Sequence, residues 1–299
     1  MKVHRLLALG GLAVVAAGCG NDDNGTTSPS QNVAYVRYVN AMPDTSAVDF
    51  RFVDAIENSP IFVAVDYRQY TPYQATGAGP RHIKVFMDPN VGYRPDSSQI
   101  IAKQFLVDTT LTFEPNTYYT ILHAGFARQG SPKQRFYVLK DALPAEAGGK
   151  ISLRTINALF GFGSADVFAT PDTDSTGFDG SALEQNVPEL GPTTVASAVT
   201  TWRTLDTVPR SPRTNSYTLW VRKAGMATPA AGDSLFSVAP ARISSDTSFA
   251  NAVAGTQVDK TALTEVLLPP TLPCGCPASR STFTKPGILF MVDRSGRKP

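Results

Sequence analysis

The run Arg37-Tyr38-Val39-Asn40-Ala41 returns 117 residues later as Arg154-Thr155-Ile156-Asn157-Ala158. The same offset carries Asp49-Phe50 onto Asp166-Val167 with no gap. Alternation follows in both copies: Val48, Phe50, Phe52 and then Ala165, Val167, Ala169. A match at a fixed offset sets the architecture before any single residue is assigned. Each unit exceeds a hundred residues, so the expectation is two tandem domains rather than a solenoid of short repeats. The 23 Gly and 23 Pro favour short strands joined by turns. The predicted class is all-β: two tandem immunoglobulin-like antiparallel β-sandwiches.

The N-terminus reads as an address. Met1 to Arg5 is a cationic head, and Leu6 to Ala17 is an apolar run too short to span a membrane. It closes as Val15-Ala16-Ala17-Gly18-Cys19, which resembles a bacterial lipobox, although Ala16 stands where Leu is usual. The expectation is a lipoprotein signal peptide over 1–18, with Cys19 lipidated by palmitate-type chains and sorted to the cell envelope. Two or more acyl chains hold a protein firmly where one is marginal. Residues 20–31 are polar and without periodicity, so 19–32 is expected to be a disordered tether.

Strands are expected at Val33–Asn40, Ala47–Val53, Ile61–Val65, Gln69–Gln74, His82–Phe86, Ile100–Val107, Tyr118–His123 and Phe136–Leu139, making a first domain over 33–145. A second domain over 150–299 is expected to repeat it. Its strands are Ile151–Asn157, Asp166–Ala169, Thr193–Ser197, Val199–Arg203, Tyr217–Val221, Gln257–Leu268 and Ile288–Val292. The pattern of Arg-x-[Val/Ile]-Asn-Ala, a Val-Asp-Phe strand, Tyr70-Thr71-Pro72-Tyr73, and a Tyr118-Tyr119-Thr120-Ile121-Leu122-His123-Ala124-Gly125 strand resembles the bacterial domain of unknown function 4397 family. The resemblance implies lipid-anchored or secreted β-sandwich modules, often in tandem, and carries over no catalytic residue.

Net charge is +2 without a basic stripe, which points away from nucleic acid. Asp172, Asp174 and Asp179 lie around a Gly turn in a loose calcium-like spacing, but Thr176 and Leu183 break it; it reads as a polar loop, and no metal or cofactor is expected. Cys274-Gly275-Cys276 is the thiol pair of the body and reads as a loop-stapling disulfide. His82 and His123 lie on predicted strands without a Gly-x-Ser-x-Gly elbow or a zinc helix, so both read as structural. Arg37 and Arg154 are expected to cover a sheet or pair with Asp49 or Asp166, while Asn40 and Asn157 end the strand and bind the following turn. Tyr67, Tyr70 and Tyr73 are the aromatics that could contact a ligand. Together these features predict a non-enzymatic, lipid-anchored envelope protein with a structural or interaction role and an envelope protein as partner. The alternatives are a glycan-binding module using the loop tyrosines, and a hydrolase whose site joins distant residues.

Overall fold

The computed structural model describes residues 32–54, 61–87, 105–128, 130–171, 182–191, 199, 201–206, 217–225, 236–238, 259–272 and 282–294. Every regular element among them is a strand. In the first half these are β1 (Val33–Ala41), β2 (Val48–Phe52), β3 (Ile61–Val65), β4 (Gln69–Tyr70), β5 (Gln74–Gly77), β6 (Gly79–Met87), β7 (Phe105–Phe113), β8 (Tyr118–Ala124) and β9 (Arg135–Lys140). In the second half they are β10 (Lys150–Asn157), β11 (Ala165–Pro171), β12 (Glu184–Val187), β13 (Arg203–Asp206), β14 (Tyr217–Lys223), β15 (Phe236–Val238), β16 (Ala262–Leu268) and β17 (Gly287–Arg294).

The four sheets come in two matching pairs. One has the order β4-β1-β8-β9, with β5 also on β1, and its counterpart is β13-β10-β16-β17. The other has the order β3-β2-β6-β7, and its counterpart is β12-β11-β14-β15. Each pair encloses a core. Tyr38, Phe50, Phe62, Ile83, Val85 and Ile121 lie at the centre of the first, and Leu153, Val167, Leu219, Val221 and Leu263 in the second.

The sheets are not wholly antiparallel, as the sequence suggested. β1 runs parallel to β8, and β10 parallel to β16. The turn after Ala41 carries the chain across to the other sheet, so β1 and β2 do not form a hairpin and β1 is free to take a distant neighbour.

Other expectations shift locally. Pro72 splits the segment 69–74 into β4 and β5, because proline lacks the N–H a ladder needs. Of the strand expected at 100–107, residues 100–104 lie outside the described residues and 105–107 open β7, which continues to Phe113, held by eight residues of register with β6. β12 and β15 were not anticipated; both are short. Thr193–Ser197 lies outside the described residues, as do Cys19, the tether, Asp172, Asp174, Asp179, Cys274 and Cys276.

Val33–Pro299 forms one compact unit. The reason is a third apolar layer, where the outer face of the β1-β8-β9 sheet packs on the outer face of the β10-β16-β17 sheet. Val39, Leu122, Tyr137 and Leu139 meet Ile156, Val266, Leu268 and Met291 there, with Leu122 and Ile156 both at 0% exposure. Both faces of β1, β8, β10 and β16 are therefore buried, and their sequences run apolar on successive positions instead of alternating.

Candidate functional site

The third layer is apolar along most of its length and charged at one end. Period-two alternation puts Arg37 on the same face of β1 as Val39, and Arg154 on the same face of β10 as Ile156. Arg37 Nη2 donates to Asp293 Oδ1 at 2.5 Å, and Nη1 to the Val292 carbonyl at 3.1 Å. Arg154 Nη2 donates to Asp141 Oδ1 at 2.6 Å and lies 3.5 Å from Asp293 Oδ1. Each arginine thus takes an aspartate from the other half of the chain.

The rest of the cluster is matched in the two halves, with most of its contacts made inside each half. Arg37 Nε donates to Thr120 Oγ1 at 2.7 Å, and that hydroxyl donates to Asp141 Oδ2 at 2.5 Å. Arg154 Nε donates to Thr264 Oγ1 at 2.6 Å, and that hydroxyl donates to Asp293 Oδ2 at 2.6 Å. The Arg37 guanidinium stacks on the Tyr73 ring at 4.6 Å, and Arg154 on Trp202 at 4.7 Å. Tyr73 Oη donates to Asp141 Oδ2 at 2.8 Å, and Trp202 Nε1 to the Ala142 carbonyl at 2.9 Å. Arg37 with Arg154, Thr120 with Thr264, Asp141 with Asp293 and Tyr73 with Trp202 are counterparts in the two halves. A contact in which i meets j and j meets i is isologous, the geometry of a twofold dimer, here within one chain.

The four charged side chains are almost fully buried, at 1% and 0% exposure for Arg37 and Asp293 and 6% and 2% for Arg154 and Asp141. Burial works against the Arg37 cation, but Asp293 beside it, helped by Tyr73 and Asp141, holds its pKa above the ordinary value. Burial also pushes the Asp293 carboxyl up, against the pull of Arg37 and then Arg154. With arginine nitrogens at 2.5 and 3.5 Å, it is held as the carboxylate. Two cations and two anions cancel within one cluster, and that is how charge survives in a dry interface. Each threonine hydroxyl's proton is committed to a carboxylate, and every carboxylate oxygen of Asp141 and Asp293 accepts from an arginine or a hydroxyl, so the cluster's polar groups satisfy one another.

A second clasp lies further along the layer. Tyr67, 1% exposed, donates its hydroxyl to the Pro269 carbonyl at 2.5 Å. Arg68 Nη2 donates to the carbonyls of Pro269 and Lys285, both at 2.7 Å, and its guanidinium stacks on Phe283 at 4.3 Å. The Tyr70 hydroxyl accepts from the Val292 N–H at 3.3 Å. All three tyrosines picked out from the sequence as ligand contacts thus bind the second half of the chain or the charged cluster.

The other repeated residues have local work. Asn40 Nδ2 donates to the Val65 carbonyl and its Oδ1 accepts from Met42 N. Asn157 does the same with Val187 and Leu159, and also bonds Gly163. Arg37 and Arg154 do not pair with Asp49 and Asp166, as the sequence had suggested, because those aspartates face away on β2 and β11. Asp49 Oδ1 accepts from Ala64 N at 3.0 Å, and Asp166 Oδ1 from Asn186 N at 2.6 Å. Ala64 and Asn186 both sit at φ 53°, each opposite a shift in strand register. The aspartate of each copy therefore pins a β-bulge in the neighbouring strand.

The two histidines lie apart. His82 is on the solvent side and bonds Asp108 at 2.5 Å, with Lys84 on the other carboxylate oxygen at 3.1 Å. Those bonds hold Asp108 below the usual carboxylate range. His123 is buried: Tyr38 Oη donates to Nδ1 at 2.7 Å, and Nε2 donates to Gln134 Oε1 at 2.9 Å. Burial drives its pKa down to about 3, opposed by the Gln134 bond, so it is neutral.

Sequence inspection missed Asp141, Asp293, Thr120 and Thr264. A signal existed for the threonines, because Tyr119-Thr120-Ile121-Leu122 aligns with Leu263-Thr264-Glu265-Val266. Asp141 looks like the first residue of a linker.

Residues 34–168 match the model of a domain of unknown function, DUF4397. That stretch belongs to the DUF4397 family. It covers the first sandwich, the connection and the opening strands of the second, so it includes Arg37, Thr120, Asp141 and Arg154. No curated protein matches the chain in sequence. Among solved structures, the fimbrial anchor protein Mfa2 from Porphyromonas gingivalis overlaps 88% of this chain and 99% of its own, at 10% identity and TM-score 0.23. A family CBM26 module of Eubacterium rectale Amy13K, solved with maltoheptaose, overlaps 86% and 95%, at 10% identity and TM-score 0.21. A putative adhesin from Bacteroides ovatus overlaps 88% and 95%, at 10% identity and TM-score 0.22. Scores this low lend no function to this chain.

Proposed function

We propose that this DUF4397-containing protein is a non-enzymatic structural or interaction module of the bacterial cell envelope, held to a membrane by lipid on Cys19. Its two halves would be tandem copies of one sandwich, clamped into a single stiff body. The observation that carries the reading is the reciprocal Arg–Asp cluster. The repeat's most distinctive side chains are committed to joining the halves, and a body so joined presents its remaining faces in a constant relation to one another. The lipobox-like end of the leader supplies the address, and the polar run before Val33 suits a tether that stands the body off a bilayer.

Metabolic labelling with palmitate tests the anchor. Label present in the natural chain and lost in Cys19→Ser supports it; equal labelling in both removes it. Glycan-array binding abolished by Tyr70→Ala or Tyr73→Ala, with the fold intact, would transfer the reading to saccharide recognition.

A further inference from the structure

Strand β7 ends the outer sheet of the first sandwich, and among the described residues no strand pairs with its free edge. It runs nine residues, Phe-Leu-Val-Asp-Thr-Thr-Leu-Thr-Phe, without Lys, Arg or Pro. Other terminal strands are guarded. β9 has Arg135 and Lys140 at its two ends, and β17 finishes in Arg294. β3 has five residues and carries the bulge at Ala64, while β15, the counterpart of β7, has three residues. Short, charged or bulged edges are the usual defence of a sheet against pairing with another chain. β7 has a register shift at its start, where the Leu106 carbonyl accepts from Gln134 Nε2 at 2.9 Å, and then a regular run to Phe113. Its one charge, Asp108, is tied to His82 and Lys84 of its own sheet.

Beside this edge, between β7 and β9, opens a groove of about 460 Å³ whose lining includes Val107, Leu111, Gln134 and Phe136. In the second sandwich the equivalent strands, β15 and β17, approach one another.

We propose that β7 is a homodimer edge, pairing antiparallel with β7 of a second copy of this chain about a twofold axis through Thr109. The strand is self-complementary in that register. On the inward face Val107 stands opposite Leu111, and on the outward face Asp108 stands opposite Thr110; Phe105, beyond the register shift, stacks on Lys84 on the solvent side and lies outside the match. The inward pair is apolar on both sides and no like charges face one another, the arrangement that favours a cross-strand pair. An axis one residue earlier would set the two Asp108 carboxylates against each other, so charge selects the register. Val107 and Leu111 share the inward face of β7, and the second copy's Val107 and Leu111 would extend over the groove and fill it. The two outer sheets then become one eight-stranded sheet. A second copy is the occupant chosen because the complementarity is that of the strand with itself.

The compact unit is tested as the chain from Gln31 onward, with Cys274→Ser and Cys276→Ser as background. Sedimentation over a micromolar concentration series is expected to show a monomer–dimer equilibrium. Thr109→Lys places two cations on the axis and should leave a monomer at every concentration, with unchanged circular dichroism. Thr109→Cys brings two thiols to cross-strand distance and should give a covalent dimer on mild oxidation, whereas Thr112→Cys should not. A monomer throughout the series overturns the proposal. So does a dimer that persists in Thr109→Lys while Thr109→Cys fails to cross-link. If Thr109→Lys also perturbs the fold, the cysteine pair decides alone. None of these outcomes depends on lipidation of Cys19.

Discussion

The two sandwiches share one strand order but bury opposite chemistry at corresponding places. In the first, Tyr38 gives its hydroxyl proton to His123; in the second, Thr155 gives its hydroxyl proton to Glu265 Oε1 at 2.5 Å. Tyr38 and Thr155 are counterparts, while His123 corresponds to Leu267 and Glu265 to Ile121. Both ionisable groups are at 0% exposure. Burial holds His123 neutral with a pKa near 3, and burial, moderated by Thr155 and reinforced by Glu184, raises Glu265 to about 8. Glu265 Oε2 has no hydrogen-bond partner among the described residues. A common scaffold thus tolerates one polar pair in each core, and each pair fails in its own direction of pH.

The largest effect should come from breaking what the halves share. Arg37→Ala leaves the buried Asp293 short of its main cation, and the expected loss is about 3–5 kcal/mol by urea denaturation. Arg154→Ala should cost a similar amount through Asp141. A difference between the two far above measurement error would show that the symmetry is geometric and not energetic.

The next effects separate the halves. For Glu265 the folded pKa of about 8 lies above the unfolded value of 4.5, so the folded state binds more protons between them. Stability should fall by about 1.4 kcal/mol per pH unit as pH rises through that window, and level off above the folded pKa. Glu265→Ile, borrowing the residue of the first sandwich, should abolish that slope. For His123 the folded pKa of about 3 lies below the unfolded 6.5, so the unfolded state binds more protons. Its contribution should therefore fall as pH drops from the unfolded value toward the folded one, with a slope of similar size and opposite sign. In the natural chain the two cancel between about pH 4.5 and 6.5, and each limb shows alone only outside that range. His123→Leu, borrowing from the second sandwich, should flatten that limb and leave the other. Denaturation midpoints across pH for the natural chain and both variants check the pair; if one variant flattened both limbs, the assignment to separate sandwiches would fall.

The smallest effect concerns the bulges. Ala64 and Asn186 hold the same left-handed backbone, which costs a residue with a Cβ about 1 kcal/mol or more but is better tolerated by asparagine. Ala64→Gly should therefore raise the melting temperature, and Asn186→Gly should change it less.

Much of the fold was visible in local pattern. The motif at Arg37 and Arg154, the β-branched runs and the Pro and Gly turns marked most of the described strands. One half of the role of Asn40 and Asn157 follows from spacing, because an asparagine at a strand's end reaches the N–H two residues on; their bonds to the Val65 and Val187 carbonyls depend on the packing of the sheets. The continuation of β7 from Asp108 to Phe113 was not read because Asp108-Thr109-Thr110 breaks the apolar run, and only pairing with β6 carries the strand through it. Tyr67, Tyr70 and Tyr73 looked like surface aromatics because a run of loop residues carries no mark of what packs on it. The apolar doublets Tyr38-Val39, Ile121-Leu122 and Val266-Leu267 were a missed sign, since strands with both faces buried lose their alternation.

By itself the sequence determined that this is an all-strand chain in which one motif, with its arginine, recurs 117 residues on, because alternation and turn chemistry are short-range. Only the tertiary structure decided which aspartate each arginine meets. Arg37 and Asp293 are 256 positions apart, and their pairing exists only because two sheet faces close on one another and exclude the water that would otherwise solvate both charges.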